Sequence, residues 1–199
     1  TYSEPEAHLD QLVDTVISLE GINKDSVICG ITFKDDSTLQ RFKNRGFKNT
    51  WRIDKKLDLG IDNPNAGLET IQGHINPDTV ETVTKIRGQA DVVIARHILE
   101  HAHNTGRFIE GIKRLVKLRG YIVFEAPDCT AALEDCDYTT VWEEHVLYFT
   151  QETFKNCFFY YGLKTLCFKI YPNIFENSLV AITQIKDKNK PPMVHKRTL

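Results

Sequence analysis

Short continuous apolar runs alternate with apolar stripes at helical spacing along most of this chain. That alternation restricts the fold more than any single residue does. The runs are Ser26-Val27-Ile28-Cys29-Gly30-Ile31, Thr50-Trp51-Arg52-Ile53, Ala90-Asp91-Val92-Val93-Ile94-Ala95 and Tyr121-Ile122-Val123-Phe124-Glu125-Ala126, the last broken by Pro127. The stripes begin with Leu9, Leu12, Val13, Val16 and Ile17, which predict a helix of about four turns between Pro5 and Gly21. Leu39 and Phe42 follow the capping residues Asp36-Ser37 and stop at Gly46. A further helix starts at Asn76-Pro77-Asp78 and runs to about Ile86. Phe108, Ile109, Ile112, Leu115 and Val116 mark another, stopped by Gly120, and Phe154, Cys157, Phe158 and Tyr161 a last one, ended by Gly162. Leu163 to Ile170 and Ser178 to Ile185 alternate as an antiparallel pair does, and Lys55 to Gly67, rich in Asp, Asn, Gly and Pro, is a loop. The implied class is α/β: a parallel sheet covered by helices on both faces and closed by two antiparallel strands.

Composition removes several function classes. A formal charge of −2 over 199 residues and an isoelectric point near 6.4 exclude a nucleic-acid binder acting through bulk positive charge. No run approaches the ~20 apolar residues that span a bilayer, and Thr1-Tyr2-Ser3-Glu4-Pro5 lacks the pattern of a secretory signal. Five scattered cysteines without a Cys-x-x-Cys pair argue against a disulfide framework or a cysteine zinc site, so a reducing compartment, the cytoplasm, is expected. Opening on Thr1 rather than Met, the chain reads as starting inside a longer protein or after a removed tag. The expected organisation is one domain over residues 1–185, with residues 1–22 as a leading helix and 186–199 as a basic, Pro-interrupted flexible tail.

In a parallel α/β sheet the ligand crevice lies at the carboxyl ends of the strands, which selects four sets of residues. After the first run, Gly30-Ile31-Thr32-Phe33-Lys34 joins strand to helix; a glycine there permits close backbone approach to a ligand, or simply a tight turn. Asp54 closes the second run 24 residues past Gly30, near the ~20-residue interval of a ribose-binding carboxylate. After the third comes Ala95-Arg96-His97-Ile98-Leu99-Glu100-His101. His97, Glu100 and His101 spell the inverted zinc-peptidase pattern, which needs a helix through the motif and a third ligand such as Glu144 or His145. The competing reading is a strand-to-helix turn with His101 packed or hydrogen-bonded. Beyond the fourth run, the segment from Asp135 to Thr150 gathers carboxylates, His145 and several aromatics over the crevice. Histidine suits proton transfer near neutral pH, an adjacent carboxylate raises its basicity, and aromatics exclude water.

Two segments resemble a known family. Ala90 to His101 resembles the fourth-strand segment of class I S-adenosylmethionine-dependent methyltransferases. Tyr138-Thr139-Thr140-Val141-Trp142-Glu143-Glu144-His145-Val146-Leu147-Tyr148-Phe149-Thr150 looks like the Glu-Glu-His segment of the sugar C-methyltransferase subgroup, and Glu176 to Ile182 like that subgroup's closing strand. The likeness spans roughly residues 24–185. It implies a Rossmann-like methyltransferase sheet, mostly parallel with an antiparallel terminal strand, and S-adenosylmethionine as cofactor. It also implies a small, nucleotide-linked sugar or similar carbohydrate-pathway substrate, with no nucleic-acid or membrane partner. His145 becomes the general base, with Glu144 beside it. Gly30, Thr32, Asp54, Ala95, Arg96 and His97 face the cofactor, and Asp128, Tyr138, Trp142 and Tyr148 the substrate; no metal is assigned. The chain departs from the pattern at Val27-Ile28-Cys29-Gly30-Ile31-Thr32, which has neither the acid nor the second glycine of the family's first loop. Trp142 stands where some relatives have tyrosine, and these 199 residues contain neither the subgroup's cysteine-rich zinc module nor its C-terminal domain. Two other functions stay open: a zinc hydrolase on His97, Glu100 and His101, and a non-catalytic methyltransferase-like binding domain.

Overall fold

Burial on both faces is what makes the central strands continuous apolar runs. In the computed structural model, Val92 and Ile94 pack on one side of the sheet and Val93 and Ala95 on the other, and all four are fully buried. The structure describes residues 6–137, 139, 144–173 and 176–186. Expectations for the tail past residue 186, and for Tyr138 and Trp142, lie outside them. The elements are α1 (His8–Ile17), β1 (Ile28–Gly30), α2 (Asp36–Asn44), β2 (Thr50–Arg52), α3 (Leu68–His74), α4 (Pro77–Arg87) and β3 (Ala90–Arg96). They continue with α5 (Thr105–Leu115), β4 (Val116–Pro127), α6 (Thr130–Glu134), α7 (Gln151–Tyr160), β5 (Leu163–Tyr171) and β6 (Ser178–Ile185).

The sheet order is β2-β1-β3-β4-β6-β5. β2, β1, β3 and β4 pair in parallel, and β6 lies antiparallel between β4 and β5. α1 and α2 cover one face through Leu9, Leu12, Val16, Leu39 and Phe42. α4, α5 and α7 cover the other through Val80, Val83, Phe108, Ile112, Phe154 and Phe158. The fold class read from the alternation is therefore the observed one.

Four local expectations change. α1 has ten residues, fewer than three turns, because the chain leaves the helix at Ser18 and turns, the Leu19 N–H donating to Val16 and Gly21 adopting φ +80°. α2 is entered through a capping box of Thr32 and Asp35, which leaves Asp36 as its first helical residue. α3, with Ile71 and Gln72 buried, was not expected, since seven residues are too few for a legible stripe. Gly120 does not stop α5, which ends at Leu115; it lies inside β4. A Cβ there would meet the Asp91 carbonyl oxygen at 2.7 Å, so the glycine permits close approach of β3 at the register shift between Ala90 and Val92.

Candidate active site

A cavity of about 510 Å³ opens at the carboxyl ends of β3 and β4, within the usual size range of small-molecule sites. The turn after β1 (Phe33, Lys34), the start of α3 (Gly67, Leu68), the end of β3 (Arg96, His97), the 3-10 turn Leu99–His101 and the segment Glu144-His145 contribute to its wall, with Glu6 and His8 from the amino-terminal end. Its floor is a buried ionic network. Glu125, in the apolar run of β4, is fully buried; its Oε2 accepts from Arg96 Nε at 2.6 Å and its Oε1 from His8 Nε2 at 2.9 Å. Burial alone would raise the Glu125 carboxyl, but hydrogen bonds from His8 and His97 and the Arg96 charge outweigh it and hold its pKa well below the usual range. Arg96, 1% exposed, also donates Nη1–H to the Lys34 carbonyl at 2.7 Å, tying β3 to the turn after β1.

His97 follows β3 in the left-handed region, φ 48°, a conformation that costs energy for a non-glycine residue and recurs at functional sites. Its N–H donates to the Glu125 carbonyl at 2.9 Å, and its ring lies 3.5 Å from Glu100 Oε1 and 3.4 Å from Glu125 Oε1. Burial opposes the imidazolium, yet the two carboxylates prevail and push its pKa up to about 10. No helix runs through His97 to His101, so the two histidines do not share a face as the zinc-peptidase pattern requires. His101 turns instead to α3, where its Nδ1 contacts Glu69 Oε1 at 2.6 Å and the Glu144 carbonyl at 3.0 Å.

Glu144 and His145 reach the cavity because the Glu100 carbonyl accepts the N–H groups of Val146 and Leu147 at 2.9 and 3.0 Å. The His145 ring stands edge-on to His101 at 4.8 Å, and Tyr148 lies 6.1 Å away. Burial lowers the His145 pKa, opposed by the Glu100 charge and reinforced by His101 and His97. The imidazole is therefore neutral at pH 7, the state a general base needs.

The other predicted residues are placed differently. Gly30, Thr32, Asp54 and Ala95 do not line this cavity. A Cβ on Gly30 would meet Asp35 Cβ at 2.9 Å and Leu39 Cδ1 at 3.0 Å, so the chain's own side chains fill that space. Thr32 is fully buried and caps the following turn, and Ala95 is a core residue. Asp54 is exposed, its Oδ1 accepting from the N–H groups of Lys56 and Leu57 at 2.9 and 2.8 Å. Asp128 Oδ1 accepts from the N–H and hydroxyl of Thr130, the first residue of α6, and borders a second hollow with Thr130, Asp135 and Gln151. Sequence reasoning missed Glu125, His8 and Glu69. A carboxylate inside the apolar run Tyr121 to Ala126 was a signal for the first; nothing local marked the other two.

A family model described as a methyltransferase domain matches residues 34–167. The C-methyltransferase NovU of Streptomyces niveus is 22% identical over 160 residues, covering 80% of this chain and 38% of that protein, so the chain spans well under half of that relative. Among solved structures, a Burkholderia thailandensis 1,6-didemethyltoxoflavin-N1-methyltransferase with bound 1,6-didemethyltoxoflavin and S-adenosylhomocysteine superposes at TM-score 0.59 and 11% identity, over 92% of this chain and 80% of that one. An S-adenosylmethionine-dependent methyltransferase from Clostridium acetobutylicum superposes at 0.60 and 9%, over 94% of both chains. At these identities the structural likeness establishes the fold.

Proposed function

We propose, from the premise that this chain belongs to the methyltransferase-domain family, that it transfers a methyl group from S-adenosylmethionine to a sugar-linked small molecule with His145 as general base. The observation behind this reading is the position of the half-buried His145 on the wall of the strand-edge cavity, its segment anchored through the Glu100 carbonyl, where burial lowers its pKa. The donor set suits a sulfonium-bearing cofactor: Glu6, Glu100, Glu125, Glu144 and Glu176 line the cavity against the cations Lys34, Arg96 and His97. The carboxylates would face the sulfonium, Lys34 the carboxylate of the amino-acid end, and Phe33 and Leu68 would pack against the rest. S-adenosylmethionine, when bound, supplies an electrophilic methyl group.

The protein's own part is positioning and proton handling. His145 accepts the proton from the acceptor, either from carbon beside a ketone or from a hydroxyl, which leaves the nucleophile. The Arg96–Glu125–His8 network holds the floor rigid, and the protonated His97 offsets negative charge developing on the acceptor oxygen. The sugar class rests on the Glu144-His145 segment and on the likeness to NovU.

The test is calorimetry with S-adenosylmethionine, followed by transfer of labelled methyl to nucleotide-linked keto-deoxysugars. Turnover lost in His145→Ala while cofactor binding persists supports the assignment; an unchanged rate in that variant overturns the base. A non-catalytic binding domain is the second reading, favoured by the closed space at Gly30, and any turnover dependent on His145 excludes it.

A further inference from the structure

The cavity wall holds a second constellation, one that shares His145 with the proposed methyl-transfer chemistry. One ligating atom each from Glu100, His101 and His145 lies within 4.8 Å of the others. Glu100 is 1% exposed; its Oε1 faces the protonated His97, but among the described residues its Oε2 has no hydrogen-bond partner, which costs free energy in a buried carboxylate. Both partners of His101 Nδ1, the Glu69 carboxylate and the Glu144 carbonyl, are acceptors, so the proton sits on Nδ1 and the Nε2 lone pair is left to bind. A carboxylate holding the far nitrogen of an imidazole is the outer-shell arrangement that orients metal-bound histidines.

We infer that Glu100, His101 and His145 form a binding site for one divalent transition-metal ion of the zinc class, with Glu69 orienting His101. Two imidazoles and one carboxylate are a donor set zinc takes in open sites, and here all three residues line the cavity. This triad differs from the His97, Glu100, His101 set that the sequence motif suggests, because the turn after β3 sends His97 to Glu125 and the fold brings in His145 instead. Binding stands independently of the methyl-transfer reading. One consequence rests on that reading: an ion on the His145 nitrogen and proton uptake there exclude each other, so zinc arrests the reaction.

The experiment is titration of the purified full chain with Zn²⁺ by calorimetry, together with the visible spectrum of the Co²⁺ form. One ion per chain and the intense absorption of four- or five-coordinate Co²⁺ are expected. Affinity falls by roughly 10–100-fold in Glu69→Gln, an outer-shell change on a partly exposed residue that leaves the core intact. It falls further in Glu100→Gln and His145→Ala and is unchanged in His74→Ala. Absence of stoichiometric binding, or binding indifferent to both Glu69→Gln and His145→Ala, overturns the site. If the ion binds but His145→Ala leaves methyl transfer intact, the site stands and the base assignment fails. If no ion binds but His145→Ala abolishes transfer, the reverse holds.

Discussion

At the scale of single residues, two histidines on one cavity wall are driven to opposite protonation states by what surrounds them. His145, desolvated among other imidazoles, is held neutral, whereas His97, between Glu100 and Glu125, is held charged. A base with a lowered pKa places the acid limb of the kcat/KM profile below pH 6.5, and its removal in His145→Ala should reduce kcat by roughly 10²–10⁴-fold; a pH–rate series on both proteins checks this. His97 has the opposite consequence for stability. Its folded pKa of about 10 exceeds the unfolded value of 6.5, so its contribution is complete below pH 6.5 and drains away as pH rises toward 10. Thermal unfolding should show Tm declining from pH 7 to 10, and a shallower decline in His97→Asn. Glu125 has a depressed pKa, so its contribution is present above the unfolded carboxylate range and is lost on acidification. Glu125→Ala leaves Arg96 buried without its partner and should cost roughly 3–5 kcal/mol at pH 7 by denaturant unfolding.

At the scale of elements, turns rather than regular structure decide what each strand end can present. The turn after β1 folds onto itself: Asp35, fully buried, accepts from the N–H groups of Ile31 and Thr32 at 2.8 and 2.9 Å and from that of Arg96 at 3.0 Å. Gly30 makes room for this packing, so Gly30→Ala should destabilise the fold by roughly 1–3 kcal/mol through overpacking against Asp35 and Leu39. Chemical denaturation measures it; a neutral substitution would show that the turn yields more readily than its geometry implies. The turn after β3 works differently. The left-handed His97 redirects the chain so that Glu100 faces the cavity and its carbonyl recruits residues 146 and 147. α3, whose seven residues escape periodicity, supplies Glu69 to the imidazole of His101 on that wall.

At the scale of the whole molecule, the parallel order β2-β1-β3-β4 gathers the active edge, and β6 closes the sheet antiparallel beside β4. Among the described residues no helix is long and apolar enough to cross a membrane. A ligand that binds only the folded state raises its stability by about 2.7 kcal/mol at 100 times its dissociation constant. For a chain of this size that is roughly 5–10 °C in Tm. Saturating S-adenosylhomocysteine should produce such a rise in a thermal shift assay, and no rise at millimolar concentration would remove the cofactor assignment.

Periodicity in the sequence determined the layered sheet, the helices of both faces and the strand edge where ligands belong, because each depends on which side of a local element is apolar. The segments around His97 and around Glu144-His145 stood out for the same reason: their polar residues interrupt or follow apolar runs. Tertiary structure alone decided which residues meet. His8 reaches Glu125 across 117 positions and Glu69 reaches His101 across 32, while Asp54 turns to its own loop. Such pairings follow from strand register and helix docking, and no spacing along the chain encodes them.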